Sequence, residues 1–300
     1  MIKVNKDENN KAIKVINIKK TDLICEDFAL DNTLVKNSKY ETVDLSKVIL
    51  DEKNAKKLKR DEGIYYTLFS DAIVDLNKKK YDDLVIAFSN VIKEYLKLYD
   101  IKKDDLIFVV GLGNAEVTPD ALGPKVVRRI DVTSHFFRMN LEHDNFQNVM
   151  ALSPGVMSQT GLETFDLIKS ITTKLHPKLV IIVDALASIS LKRLNHTIQI
   201  NNASISPGAG IGNFRKKFSQ KSLGCPMLAI GVPTVVDIKA LFAESLKNMD
   251  INYDDIIPFA NEDDLIQFMV TPKEIDTNIN DLADIIARGL NKAFHNFNYY

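Results

Sequence analysis

The chain has 300 residues, 45% hydrophobic and 26% charged, with 39 Lys and Arg against 40 Asp and Glu. That near-neutral balance excludes a general attraction to nucleic acid or to an anionic membrane, so partners have to be recognised locally. Two cysteines, Cys25 and Cys225, cannot build a disulfide framework, and no secretory h-region or long apolar run occurs. The reading is a globular chain with free thiols in a reducing, cytoplasmic compartment and with no membrane association.

Residues 1–22 are rich in Lys and Asn with scattered Ile and Val, a composition that reads as a detachable tail or an edge strand. From Tyr65 to Leu98 apolar residues recur at helical spacing, as in Leu84, Phe88, Ile92 and Tyr95, which predicts an amphipathic helix. Leu106 to Val110 then forms a buried strand meeting a tight turn at Gly111 and Gly113. Val149 to Leu152 reads as a second strand, ended by Ser153-Pro154-Gly155. Thr160-Gly161-Leu162-Glu163 supplies a capping box for a helix reaching about Leu175. Leu179 to Val183 is a β-branched run stopped by Asp184, which completes a βαβ unit. Met227 to Ile230 predicts another strand, followed by a Gly231 to Thr234 loop and a helical pattern through about Leu246. In the last helix, Thr271 is the expected N-cap, Pro272 stands at N1 and Glu274 at N3, and the periodicity ends near His295. Alternating strands and helices predict an α/β fold, a mostly parallel sheet covered by helices on both faces, in one domain or two.

In such sheets the binding crevice lies outside the carboxyl ends of the strands, which singles out the loops after each apolar run. Asp120 and Asp184 stand in two of them and are able to meet although far apart in sequence. Paired carboxylates at one site cannot both ionise freely, so one holds a proton as general acid while the other activates water, the chemistry of peptide hydrolysis. The bland alternative is that one Asp caps a helix and the other merely ends a strand. Gly111-Leu112-Gly113 also invites a dinucleotide-binding reading, but Glu116 replaces the third glycine and would face a pyrophosphate with negative charge. The glycines of Pro207 to Asn213 lack the Lys and Ser or Thr of a P-loop. Arg215-Lys216-Lys217 is either a solvated basic loop or a grip for acidic substrate segments. No Ser or Cys nucleophile signature occurs, and the histidines have no zinc spacing, so neither cofactor nor metal is expected.

The segment Gly111 to Asn114 with Thr118 to Pro124 resembles the first signature of the germination protease family. Ser153 to Gly161, Val183 to Ser188, Pro207 to Asn213, Ile230 to Asp237 and Val270 to Asp276 are similar to further signatures in the same order, and the likeness spans about residues 20–295. The resemblance implies an endopeptidase that starts the degradation of small acid-soluble spore proteins at germination, located in the forespore or spore core and assembled as a homotetramer. It implies a phosphorylase/hydrolase-like fold as in the hydrogenase maturation proteases, whose strand-end acids contact a metal; a metal-assisted maturation-type protease is therefore the rival reading. Asp120 and Asp184 are the implied catalytic pair. Gly111, Gly113, Asn114, Ser158, Gly208 and Gly210 are candidates for substrate or oxyanion contacts. Thr21-Asp22-Leu23 resembles the family's processing site, which implies a self-processing zymogen with a removable propeptide over 1–22, a cut between Asp22 and Leu23, and a single peptidase domain over 23–300. Two positions depart from the pattern: Ile189 stands where Arg is expected and Ser206 where His is expected, which leaves a catalytically weak relative, acting as a binding protein, as a third reading.

Overall fold

The computed structural model describes residues 21–27, 29–73, 75, 77–141, 145–208, 216–238, 241 and 268–295. Its strands are β1 (Val35–Tyr40), β2 (Val43–Leu50), β3 (Gly63–Phe69), β4 (Ile107–Gly111), β5 (Val149–Leu152), β6 (Leu179–Ser188), β7 (Thr197–Asn201), β8 (Ser204–Ile205), β9 (Phe218–Ser219), β10 (Met227–Asp237) and β11 (Met269–Val270). The helices are α1 (Glu52–Leu58), α2 (Lys78–Leu98), α3 (Leu122–Val127), α4 (Ser134–Arg138), α5 (Met157–Thr160), α6 (Thr164–Leu175), α7 (Gln220–Leu223) and α8 (Ile275–Phe294).

One sheet runs in the order β1-β2-β3-β7-β10-β6-β4-β5, with β11 added on β10. The half made of β10, β6, β4 and β5 is parallel, as expected for an α/β fold. Joined to it is an antiparallel wing of β7, β3, β2 and β1 that the sequence reading did not anticipate. The wing explains a specific correction. Tyr65 to Phe69 belongs to β3 and not to the helix, which begins only at Lys78, where the Asn77 side chain accepts from the Lys80 N–H. Tyr65, Tyr66 and Thr67 suit a pleated surface better than a helix, and their helical spacing was coincidental.

Both faces of the sheet are covered, because the parallel strands carry apolar side chains on each side. On one face α2, α3 and α8 bury Leu84, Phe88, Ile92, Ile279, Leu282 and Ile286 against Ile107, Val109, Ile181 and Ile230. Burying a side chain the size of Phe88 contributes about 2–3 kcal/mol. The two long helices approach closely at Gly289, where an added Cβ would lie 2.4 Å from Cδ1 of Phe88. The opposite face packs Phe108, Val110, Val180, Ile182 and Met227 against Ile168, Leu223, Phe218 and Leu23. Cys25 and Cys225 are free thiols at the edge of this layer. No described helix is long and apolar enough to cross a membrane.

Three more local expectations change. The strand after Leu179 does not stop at Asp184 but continues to Ser188, because β10 pairs alongside it from Met227 to Val236 and satisfies its backbone. By the same pairing, Gly231 to Thr234 is strand, with a bulge between Pro233 and Val235. Neither capping box forms. Thr160 Oγ1 accepts from the Leu162 N–H and Glu163 becomes the N-cap of α6. Glu274 caps α8 without a side-chain bond, while Thr271 Oγ1 donates to the Thr234 carbonyl at 2.8 Å. The expected helical pattern through Leu246 lies outside the described residues beyond Leu241.

Candidate active site

The carboxyl ends of β4, β5, β6 and β10 surround a cavity of about 330 Å³. Asp120, Asp184 and Asp22 all line it, together with Leu112, Gly113, Gly208 and Thr234. Sequence positions far apart thus meet where an open sheet places its ligand crevice.

Asp184 enters from the interior of β6. It is only 4% exposed and sits in register with Gly231 on β10. Its Oδ1 accepts from the Ala185 N–H at 3.0 Å. Gly231 has no room for a side chain, since an added Cβ would stand 2.3 Å from Cδ1 of Leu186.

Asp120 arrives on a short 3-10 turn, Thr118–Asp120, just before α3. Its Oδ2 accepts from the Asn114 N–H at 2.7 Å, which ties the carboxylate across the turn that follows β4. The glycines of that turn are fixed by packing. Gly113 has φ +110°, and a Cβ there would lie 2.0 Å from the Asp120 carbonyl oxygen. A Cβ on Gly111 would lie 2.1 Å from the carbonyl oxygen of Gly123 in α3. Gly111 and Gly113 therefore let the start of α3 press on the end of β4, and that contact places Asp120 at the cavity.

The other expected site residues divide. Gly113 and Gly208 line the cavity; Gly111 and Asn114 do not. The Asn114 side chain is engaged elsewhere, accepting from the Glu116 N–H of its own loop at 2.9 Å and from Gln159 Nε2 on α5 at 2.8 Å. Ser158 is exposed on α5 and does not line the cavity. Gly210 lies outside the described residues. Ser206 lines the cavity, whereas Ile189 packs beside Leu194 and Val236. Lys216, also at the cavity, pairs with Asp166 at 2.7 Å, while Lys217 pairs with Asp61 at 2.6 Å. Among the described residues no three His, Cys, Asp or Glu side chains are grouped to hold a metal ion.

Sequence reasoning placed Asp22 at the expected processing cut but did not name it as a residue lining the crevice. Its carboxyl is half-buried, and desolvation pushes its pKa up to about 6 against the opposing effects of the Ala187 N–H and Arg60. Oδ2 accepts from the Ala187 N–H at 3.0 Å, three residues along β6 from Asp184. The fully buried Leu23 and Ile24 that follow were the available signal, an apolar pair directly after an acidic residue.

A parallel α/β core with carboxyl groups gathered at its strand ends defines the class: an α/β protein with an acidic crevice at the mouth of the sheet. Residues 11–252 and 264–298 match the family model for germination protease. The germination protease of Priestia megaterium is 34% identical, covering 92% of this chain and 93% of the relative. That of Caldanaerobacter subterraneus subsp. tengcongensis is 37% identical over 86% and 87% of the two chains. The chain belongs to the germination protease family, a family of peptidases. Among solved structures, the NiFe hydrogenase maturation protease HycI from Thermococcus kodakarensis overlaps 65% of this chain and 98% of its own at 17% identity, with a TM-score of 0.32.

Proposed function

We propose that the protein is an aspartate-dependent endopeptidase that begins the degradation of small acid-soluble spore proteins during germination, and that Asp120 and Asp184 are its catalytic carboxyls. The observation that carries this reading is their meeting in one cavity with room for a peptide bond. A water between two carboxyls is activated by the ionised one, while the protonated one donates to the carbonyl oxygen or the leaving nitrogen. Gly113 and Gly208, which line the cavity, are the candidates among the described residues for contacts to substrate or oxyanion, and Gly210 stays a candidate beyond them.

Family membership supports the substrate class, since the relatives are named for germination. The same reading makes residues 1–22 a propeptide, cut between Asp22 and Leu23, and residues 23–300 the peptidase domain. It takes the active form to be a homotetramer in the spore core. A metal is not required in this account. The test is incubation with a small acid-soluble spore protein, with and without EDTA, read by mass spectrometry. Internal cleavage that persists in chelator supports the proposal. Cleavage that needs a divalent ion transfers the assignment to the metal-assisted rival, and no cleavage at all supports a binding protein.

A further inference from the structure

The segment Thr21 to Glu26 is held by an unusual concentration of polar contacts, centred on the bond between Asp22 and Leu23. Gln199 on β7 reads the backbone on both sides of that bond. Its Nε2 donates to the Asp22 carbonyl at 3.1 Å and its Oε1 accepts from the Ile24 N–H at 2.7 Å. Arg60 donates to the carbonyls of Thr21, Asp22 and Leu23 at 2.9, 3.3 and 3.0 Å. Downstream, the Glu26 carboxylate accepts from Ser188 Oγ at 2.5 Å and from the N–H groups of Ile189 and Ser190 at 3.0 and 3.2 Å, and the Thr21 hydroxyl reaches it as well. Three donors from one strand end converging on a carboxylate form an anion seat.

These contacts have two possible consequences of opposite sign. If they only lock the segment to the fold, loosening them exposes the bond and speeds its cutting, because proteolysis follows local opening. If they present the bond to the crevice, loosening them slows the cut, because orientation is lost. That Asp22 lines the same cavity as Asp120 and Asp184, with its carboxyl held by the Ala187 N–H on β6, favours presentation. We propose that Glu26, seated on Ser188 to Ser190, is a positioning residue for self-cleavage: with Gln199 and Arg60 it holds the bond between Asp22 and Leu23 in the groove where Asp120 and Asp184 act. This inference rests on the peptidase reading above and assigns to Ser188 and Gln199 roles beyond the sheet.

The test uses the full chain. Self-cleavage is followed by intact-mass spectrometry for the unaltered protein, Glu26→Gln, Ser188→Ala and Asp184→Asn, with thermal unfolding of each. Losing part of a charge-assisted contact from the bond-presenting geometry slows the cut about tenfold in Glu26→Gln and Ser188→Ala, with unfolding close to that of the unaltered chain. Cutting as fast as or faster than the unaltered chain overturns the proposal, as does a slow cut accompanied by collapse of thermal stability in both variants. So does an unaltered chain that degrades spore protein without any cut between Asp22 and Leu23. Self-cleavage by Asp184→Asn at the unaltered rate, or an unaltered chain that cuts neither itself nor spore protein, counts against the peptidase reading instead.

Discussion

Replacing Gly113 by Ala tests whether the turn after β4 is the scaffold that places Asp120. The position has φ +110°, and holding an L-residue there costs about 1–3 kcal/mol. The added Cβ would stand 2.0 Å from the Asp120 carbonyl oxygen and 3.1 Å from its Oδ1, contacts that only a backbone shift relieves. Such overpacking adds about 1–3 kcal/mol. The combined loss of about 2–6 kcal/mol moves the urea midpoint down by roughly 0.7–2 M, taking a slope near 3 kcal/mol per molar. Gly161→Ala is the control, since it shares a positive φ of +71° but has nothing within 4 Å of the new methyl. Its cost stays near 1 kcal/mol. Peptidase activity is expected to fall much further in Gly113→Ala than in Gly161→Ala, because the shift falls on the residue that carries the carboxylate. Equal midpoints for the two variants, with full activity in Gly113→Ala, would refute the reasoning.

Three further outcomes are expected. Gly289→Ala drives a methyl toward Phe88, 2.4 Å away as the helices stand, and lowers stability by about 1–3 kcal/mol; adding Phe88→Leu recovers part of this loss in denaturation experiments. The raised pKa of Asp22, about 6, means that the folded chain binds this proton more tightly than the unfolded one. Its contribution to stability is present in full below pH 4 and fades as pH rises through about 6. Thermal unfolding of Asp22→Asn from pH 4 to 7 is therefore expected to lack part of the decline seen in the unaltered chain, and superimposable profiles would contradict it. Leu23→Ala, at a fully buried position, costs about 2–5 kcal/mol, measured as a shift in the denaturation midpoint.

The parallel half of the fold was legible because its strands are continuous apolar runs buried on both faces: the runs Leu106 to Val110 and Leu179 to Val183 read as strands, and the structure has strands at Ile107–Gly111 and Leu179–Ser188. The antiparallel wing was not legible. Val35–Tyr40 is an edge strand exposed over most of its length and carrying Lys36 and Lys39, a composition that reads as loop. The reach of β6 to Ser188 and of β10 to Asp237 depends on their pairing with each other, which periodicity along one segment does not encode. Of the site, Asp120 and Asp184 followed from their places after apolar runs. The docking of Asp22 depends on Arg60 and Gln199, contributed from distant parts of the chain, and nothing near Asp22 in sequence announces them.

The central claim, that Asp120 and Asp184 together carry out hydrolysis, is tested most directly by single-turnover assays on a spore protein with Asp120→Asn and Asp184→Asn, each checked by thermal unfolding. Both amides keep the size of the side chain but cannot exchange the proton, so each variant is expected to lose activity by a factor of about 10³ or more while remaining folded. Near-normal turnover in either folded variant would contradict the account.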